Sequence, residues 1–196
     1  MAATATQSKA ETPMSITEPN IHVELTYDHL DVVSIMNRVR SPKAGAIVLF
    51  AGTTRDTFSC LPVQHLSYSS YPPLALRTLL SIARSMHSTH GLTAIALIHR
   101  LGTVPIGEES ILIAVSAPHR QAAWRAGEEA LEVCKEKTEV WKLEVLGEGG
   151  GSVWRANRDG QGQEGKVVGG EQVGVEGEGV GRRRSSMIMD GEQDDR

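Results

Sequence analysis

The chain has 196 residues, and its 20 lysines and arginines against 24 aspartates and glutamates give a net charge of −4. This length fits one domain with flanking tails, and the acidic balance gives no sign of general binding to nucleic acid. Its two cysteines are too few for a multi-bridge disulfide framework, so we expect a reducing compartment, the cytoplasm.

Composition divides the chain into three parts. Residues 1–20 predict a disordered leader, which fits neither a secretory signal nor a transit peptide because it has no apolar core and no arginine. Residues 21–157 hold nearly all of the periodic apolar pattern and predict one globular domain. Residues 158–196 are rich in glycine and glutamate, bury too little apolar surface to offset the entropy of ordering, and predict a disordered tail. Nowhere does an apolar stretch approach the roughly 20 residues of a membrane span.

The domain opens with a strand and a helix. Residues 23–26 predict a short strand, and residues 28–39 predict a helix that ends before Pro42 and Gly45. The apolar positions of this helix recur every third residue and predict a one-sided stripe of Leu30, Val33, Met36 and Val39.

Two strands and a second helix follow. Residues 46–50 are apolar and β-branched and predict a buried strand, after which Arg55 lies in a polar loop. Residues 64–71 partly alternate and predict a half-exposed strand, and Pro72 opens the second helix. The apolar face of that helix is predicted to contain Leu76, Leu79, Leu80, Ala83 and Met86.

Residues 93–98 and 111–115 predict two further strands. His99 and Arg100 follow the first of them, and no helix start comes after the pair. We therefore interpret His99 as a structural, buried and hydrogen-bonded histidine.

The longest helix is predicted to start at residues 116–118, with Ser116 as its cap and Pro118 in its first turn. A stripe of small residues suits close packing on a sheet: Ala123, Ala126, Ala130 and Cys134. Residues 140–145 alternate with period two and predict a strand, so the helix should end near Lys137 or Thr138. This order of elements favours an α+β fold or a mixed sandwich over a doubly wound sheet.

Two lysines, Lys135 and Lys142, bracket the predicted end of that helix. Two ammonium groups that lie close together depress each other's pKa, which can make a lysine reactive near neutral pH. The alternative is that both are ordinary solvated lysines. Because a strand is predicted from residue 140, the lysines should meet through the fold and not along one helical face. Cys134 is a candidate reactive thiol, although a small buried residue is the favoured interpretation.

His119 and Arg120 are a candidate anion-binding pair. They lie at the start of the predicted long helix, where free N–H groups favour anions, and arginine adds a fork that fits phosphate. A plain surface pair is the alternative. Arg55 is a second candidate anion ligand, with a solvated loop arginine as its alternative. The sequence has no P-loop, no G-x-S-x-G elbow and no close spacing of metal ligands.

The stretch 45–154 resembles the large, catalytic subunit of molybdopterin synthase. The matching pieces keep the family's order and spacing: GAIVLFAGTTR at residues 45–55, LSYSSY at 66–71, IHRLG at 98–102, SAPHR at 116–120, then Lys135 and Trp141-Lys142. The resemblance implies a hammerhead-type α+β fold, a mixed sheet with packed helices. It also implies conversion of cyclic pyranopterin monophosphate to molybdopterin in molybdenum cofactor biosynthesis, with no metal or other cofactor.

The resemblance further implies partners and site residues. Sulfur would arrive as a thiocarboxylate on the C-terminal glycine of a small ubiquitin-like subunit, whose tail enters a pocket of the large subunit. Two large subunits would form a homodimer within a heterotetramer. Lys135 and Lys142 match the family's active-site lysines, His119 and Arg120 match its substrate-binding pair, and Arg55 matches an arginine expected to hold the pterin phosphate.

The chain departs from the family pattern at two places. Ser69 and Ser70 stand in the Tyr-x-x-Tyr strand, where the family commonly has an acidic residue, and Glu139 stands where it often has proline. These departures affect local geometry and partner affinity more than the chemistry. They leave open an alternative, a non-catalytic module that binds a ubiquitin-like protein.

Overall fold

The structure, a computed structural model, describes residues 14–58, 60–147, 151–156 and 166–168. This part of the chain contains three helices, which are α1 (Val32–Val39), α2 (Pro72–His90) and α3 (Arg120–Lys137). Its strands are β1 (Ser15–Glu18), β2 (Ile21–Thr26), β3 (Ala46–Thr53), β4 (Thr57–Phe58), β5 (Leu61–Ser70), β6 (Ala94–Arg100), β7 (Gly102–Pro105), β8 (Glu109–Ala117), β9 (Val140–Leu146), β10 (Ser152–Ala156) and β11 (Lys166–Val168). The α+β class is therefore confirmed.

The strands form two sheets. The first sheet has the order β1-β2-β6-β8-β3, in which β2 and β6 are parallel and the other pairs antiparallel. The second sheet is antiparallel and has the order β11-β10-β9-β5-β4, with β7 also paired to β5. The six predicted strands correspond to β2, β3, β5, β6, β8 and β9.

Helices cover both faces of the first sheet. On one face α2 and α3 enclose the larger core, and on the other α1 packs through Ile35 and Val39 on Ala96, Ile98 and Leu112. Every residue of β6 is buried, as expected for a strand covered on both sides. The predicted apolar face of α2 is confirmed, because Leu76, Leu79, Ala83 and Met86 are buried and Leu80 packs against the same core.

The first helix differs from its prediction in start and in face. Asp31 caps α1 by accepting from the backbone N–H groups of Val33 (2.8 Å) and Ser34 (3.2 Å), so residues 28–30 precede the helix. Ile35 and Val39, four residues apart, form the buried face, whereas Val33 is 63% exposed. The predicted stripe is confirmed at Val39 and at Leu30, which packs against the same cluster, and is wrong at Val33, because the helical period favours the i, i+4 pair Ile35 and Val39.

The third helix starts later than predicted. Ser116 and Ala117 continue β8, where they pair with Ile47 and Ala46 of β3, so neither Ser116 nor Pro118 belongs to the helix. His119 is the N-terminal cap residue, without a side-chain capping bond, and Arg120 is the first helical residue. The helix has 18 residues, one fewer than α2, so it is not the longest. Its end at Lys137 and its buried small-residue stripe are as predicted.

The described fold extends beyond the predicted domain at both ends. Strand β1, inside the predicted leader, pairs with β2, and strand β11, inside the predicted tail, pairs with β10. Pairing with a neighbouring strand supplies these short segments with the hydrogen bonds that their composition did not indicate. Residues 1–13 of the predicted leader, and residues 158–165 and 169–196 of the predicted tail, lie outside the described residues. No helix in the described part of the chain is long and apolar enough to cross a lipid bilayer.

Gly45 allows a close approach where β3 begins beside the end of β8. A Cβ atom on Gly45 would lie 2.5 Å from the carbonyl oxygen of Pro118, and the Gly45 N–H donates to the Ala117 carbonyl at 3.0 Å. Gly127, within α3, has more room, because a Cβ there would lie 3.4 Å from the Val48 side chain.

We expect the two glycines to respond differently to alanine. Gly45→Ala should lower the free energy of unfolding by about 1–3 kcal/mol, since the neighbouring backbone must move. Gly127→Ala should leave it unchanged or raise it by up to about 1 kcal/mol, because alanine is the better helix former. Urea unfolding of both variants measures this difference, and equal losses of stability would contradict the close approach at Gly45.

Candidate active site

A cleft of about 450 Å³ opens where the two sheets meet the C-terminal end of α3. It collects side chains from distant parts of the sequence, including three that the sequence analysis singled out as functional. The residues that line it are Phe50, Ala51, Gly52, Thr53, Arg55, Thr57, Phe58, Val63, Leu66, Tyr68, Leu79, His99, Ser110, Ile111, Leu131, Cys134, Lys135, Thr138, Lys142 and Glu144.

The fold brings Lys135 and Lys142 to this one cleft. Lys135 lies half-buried in the last turn of α3, where a cation complements the helix dipole. Lys142 lies in β9, beyond the end of the helix, and its side chain is 17% exposed. The predicted meeting of the lysines through the fold agrees with this geometry, and Lys137 between them is exposed and outside the cleft.

Glu144 is a cleft residue that the sequence analysis missed. Its carboxylate is 2% exposed and lies 3.1 Å from the Lys142 ammonium, so the two form a largely buried ion pair. The period-two alternation of β9 carries the signal, because Lys142 and Glu144 fall on the same face as the buried Val140 and Leu146. A charged pair on the inward face of a strand is not part of a solvated surface, and its place in the lining of the cleft makes it a candidate functional pair.

Arg55 lies in the loop after β3 and lines the same cleft with an exposed side chain. Among the described residues, the cleft is therefore lined by the cations Arg55, Lys135 and Lys142 and by one carboxylate, Glu144. This excess of positive charge favours an anionic ligand.

His119 and Arg120 lie elsewhere. They line a separate surface hollow of about 780 Å³, together with Gly45, Pro118, Gln121, Trp124 and Arg125. Arg120 begins α3 and Lys135 is near its end, so at 1.5 Å per residue they are about 22 Å apart along the helix axis. Within one chain, the structure does not bring the predicted substrate-binding pair to the lysines.

His99 is buried in the wall of the cleft, as its structural interpretation predicted. Its exposure is 2%, its Nδ1–H donates to the Arg100 carbonyl oxygen at 2.8 Å, and its ring meets Tyr68 edge to face at 5.0 Å. Burial lowers the pKa of His99 to about 4, so the ring is neutral at pH 7. His99 therefore adds no charge to the cleft.

Cys134 lines the cleft but is buried, and burial raises the pKa of its thiol to about 12. The thiol is therefore protonated at neutral pH and a poor nucleophile. This confirms the favoured interpretation of Cys134 as a small buried residue. Among the described residues, no group of three or more histidine, cysteine, aspartate or glutamate side chains is placed to hold a metal ion.

Two of the departures from the family pattern contact each other. The Ser70 hydroxyl donates to the Glu139 carbonyl oxygen at 2.8 Å, and Glu139 Oε1 accepts from the Thr78 hydroxyl at 3.1 Å. These bonds connect the end of β5, the start of β9 and α2 close to Lys142. The substituted residues thus make local contacts of their own and leave the lysine cleft in place.

The chain is similar to proteins of one family. A family model described as MoaE protein matches residues 25–137. A Neurospora crassa protein named molybdopterin synthase catalytic subunit is 69% identical over 154 residues, which cover 79% of this chain and 75% of that protein.

Solved structures share the fold. The structure of molybdopterin synthase from Staphylococcus aureus matches with a TM-score of 0.63 and 30% identity, covering 67% of this chain and 94% of that one. A Helicobacter pylori chain, solved as a complex of subunits 1 and 2 of molybdopterin-converting factor, has a TM-score of 0.54 and 20% identity, covers 65% of this chain and 91% of that one, and is alike in fold.

The pKa of His99 predicts how stability depends on pH. Between about pH 6.5 and about pH 4 the unfolded chain binds a proton at this ring and the folded chain does not, so stability falls as the pH falls, by roughly 3 kcal/mol in all. Urea unfolding across this range should show the loss, and His99→Gln should reduce the slope. An unchanged slope in the variant, or an NMR titration of His99 near pH 6.5, would contradict the prediction.

Proposed function

The chain belongs to the MoaE protein family of molybdopterin synthase catalytic subunits, and we propose that it transfers sulfur to cyclic pyranopterin monophosphate to form molybdopterin. The observation that carries the proposal is the cleft, in which Arg55, Lys135 and Lys142 converge beside the buried Glu144. The proposed setting is the cytoplasm, in molybdenum cofactor biosynthesis.

The chemistry proposed for the cleft is replacement of oxygen by sulfur on an anionic substrate. A lysine ammonium protonates the departing oxygen or offsets the charge that develops when sulfur attacks. Lys142 is held by Glu144 at 3.1 Å, which orients its ammonium group before substrate arrives. Arg55 offers a guanidinium fork for the phosphate, and the neutral His99 leaves the positive charge on the lysines.

The proposed sulfur donor is a small ubiquitin-like subunit with a C-terminal thiocarboxylate. A C-terminal glycine tail has no side chain at its end and suits a cleft lined by Thr57, Phe58 and Leu66, and its negative charge suits the cations of the same cleft. The proposed assembly is a heterotetramer in which two copies of this chain form a central homodimer, each with one small subunit.

The homodimer is supported by the positions of the two groups of predicted site residues. If His119 and Arg120 bind the same substrate as Lys135 and Lys142, a single chain cannot supply both, because about 22 Å of helix separates them. In a dimer with two-fold symmetry, the hollow of one copy can face the cleft of the other, and both sites form at once. We therefore propose that each substrate site is shared between two chains.

Lys135→Ala should lower product formation at least about 100-fold, the usual scale for loss of an acid–base group. Lys137→Ala is the matched control, since Lys137 lies in the same helical turn but outside the cleft. The assay mixes the chain, the thiocarboxylated partner and cyclic pyranopterin monophosphate, and measures molybdopterin, partner binding and melting temperature.

Loss of partner binding or of folding in Lys135→Ala would assign the lysine a structural role. Absence of product with the wild-type chain, under conditions in which a known pair is active, would contradict the proposed function. Tight partner binding without any turnover by the wild-type chain would favour the alternative, a non-catalytic binding module.

The shared site has its own test in mixed dimers. Lys135→Ala and Arg120→Ala chains should each be inactive alone, but their mixture should recover about a quarter of wild-type activity, because half of the dimers are mixed and each contains one intact site. The control mixture, Lys135→Ala with Lys142→Ala, should stay inactive, since both residues line the same cleft. No recovery in the first mixture, with subunit exchange verified, would contradict the shared site.

A further inference from the structure

Trp124 is an exposed aromatic residue that the lysine cleft does not explain. It is 64% exposed, and it lies in the second turn of α3, four residues after Arg120. The buried face of this helix consists of small residues such as Ala123 and Ala126. Residues four apart on a helix share a face, so the indole of Trp124 lies next to the Arg120 side chain and on the outward side.

The surroundings of Trp124 favour one class of ligand. Arg120 and Arg125 line the hollow beside it, and His119 is the N-terminal cap residue of the helix. Among the described residues that line the hollow there is no carboxylate. Arginine side chains bind phosphate oxygens, and an indole offers a flat apolar face for a planar ring. A cationic edge beside an aromatic face fits a molecule that combines a planar heterocycle with a phosphate.

We propose that Trp124 is a substrate-binding residue, on whose indole the fused heterocycle of the substrate stacks while the neighbouring arginines hold its phosphate. This inference rests on the proposed function, since cyclic pyranopterin monophosphate is such a molecule. It adds a contact for the ring to the predicted pair His119 and Arg120. In the proposed shared site, the phosphate lies between Arg120 and Arg125 of one chain and Arg55 of the other. Stacking of a heterocyclic base on an aromatic side chain changes affinity by roughly 10-fold to 100-fold.

The kinetic test compares Trp124→Ala with the conservative Trp124→Phe. In the complete complex, Trp124→Ala should raise the KM for cyclic pyranopterin monophosphate at least about 10-fold with kcat reduced much less, and Trp124→Phe should restore most of the affinity. Trp154→Ala is the matched control, because Trp154 is another exposed tryptophan, 38% exposed, in a strand that does not line the hollow. An unchanged KM in Trp124→Ala would overturn the proposal.

A fluorescence titration tests directly whether the substrate contacts Trp124. The chain has three tryptophans, so a variant with Trp141→Phe and Trp154→Phe reports from Trp124 alone. Cyclic pyranopterin monophosphate should quench this emission and saturate near the KM, whereas inorganic phosphate should not. Equal quenching by phosphate, or no quenching in a variant that turns over normally, would overturn stacking.

Three further outcomes separate this inference from the proposed function. If the wild-type complex forms product but Trp124→Ala shows wild-type KM, only the stacking role fails. If Trp124→Ala dissociates the dimer on size-exclusion chromatography, the indole is an interface residue and the stacking proposal is overturned. If the wild-type complex forms no product, the proposed function fails first.

Discussion

Close packing of α3 on the first sheet depends on residues that have almost no side chain. At Gly127 a Cβ atom would make ordinary van der Waals contact, 3.4 Å from Val48 and 3.7 Å from Val115, so a methyl group fits there. Ala123, Ala126 and Ala130 are fully buried along the same face. This stripe fixes the helix at short distance from β3 and β8. The position of α3 then determines where both candidate binding regions lie, because its N-terminal end contributes to the hollow and its C-terminal end to the cleft.

The cleft contains a buried carboxylate that is paired with a lysine. A buried carboxylate alone is costly, and Glu144 is tolerable because Lys142 lies 3.1 Å away. Such a pair adds little net stability, since desolvation offsets attraction, but it holds an ammonium group in one orientation. His99 and Cys134 complete the wall in uncharged forms at neutral pH. The charge that a substrate meets is therefore that of the lysines, Glu144 and Arg55.

The sequence predicted those parts of the fold whose local pattern agrees with their tertiary surroundings. The alternation after residue 140 is strong, so β9 and the separation of Lys142 from α3 were predicted. The predicted start of α3 was wrong. Ser116 and Pro118 are residues that favour a helix start, but pairing with β3 keeps residues 116–117 in β8. The local sequence does not show which strand a segment will pair with. Where a sequence pattern suits both a strand and a helix start, pairing with a neighbouring strand determines which one forms.

The candidate site was predicted in its residues more than in its geometry. Position in the sequence and the resemblance together indicated Arg55, Lys135 and Lys142, which the fold gathers in one cleft. The sequence also placed His119 and Arg120 at the start of the helix that ends near Lys135. The resemblance assigned both groups to one substrate, and only the structure shows that the pair lines the hollow while the lysines line the cleft. Glu144 was missed because an acidic residue beside a lysine in a strand is ordinary on a surface. The alternation of β9 places Glu144 on the same face as Lys142, but the burial of that face follows only from the whole fold.

Glu139 restrains the start of β9 differently from the proline that the family resemblance leads us to expect there. Proline restricts the backbone conformations of the unfolded chain as well as those of the folded chain. Glu139 is restrained only after folding, by hydrogen bonds to Thr78 and Ser70. The unfolded chain therefore keeps more conformational entropy at this position, and the restraint weakens as heat breaks those bonds. The placement of Lys142, three residues further on, thus carries a sensitivity to temperature that a proline at position 139 would reduce.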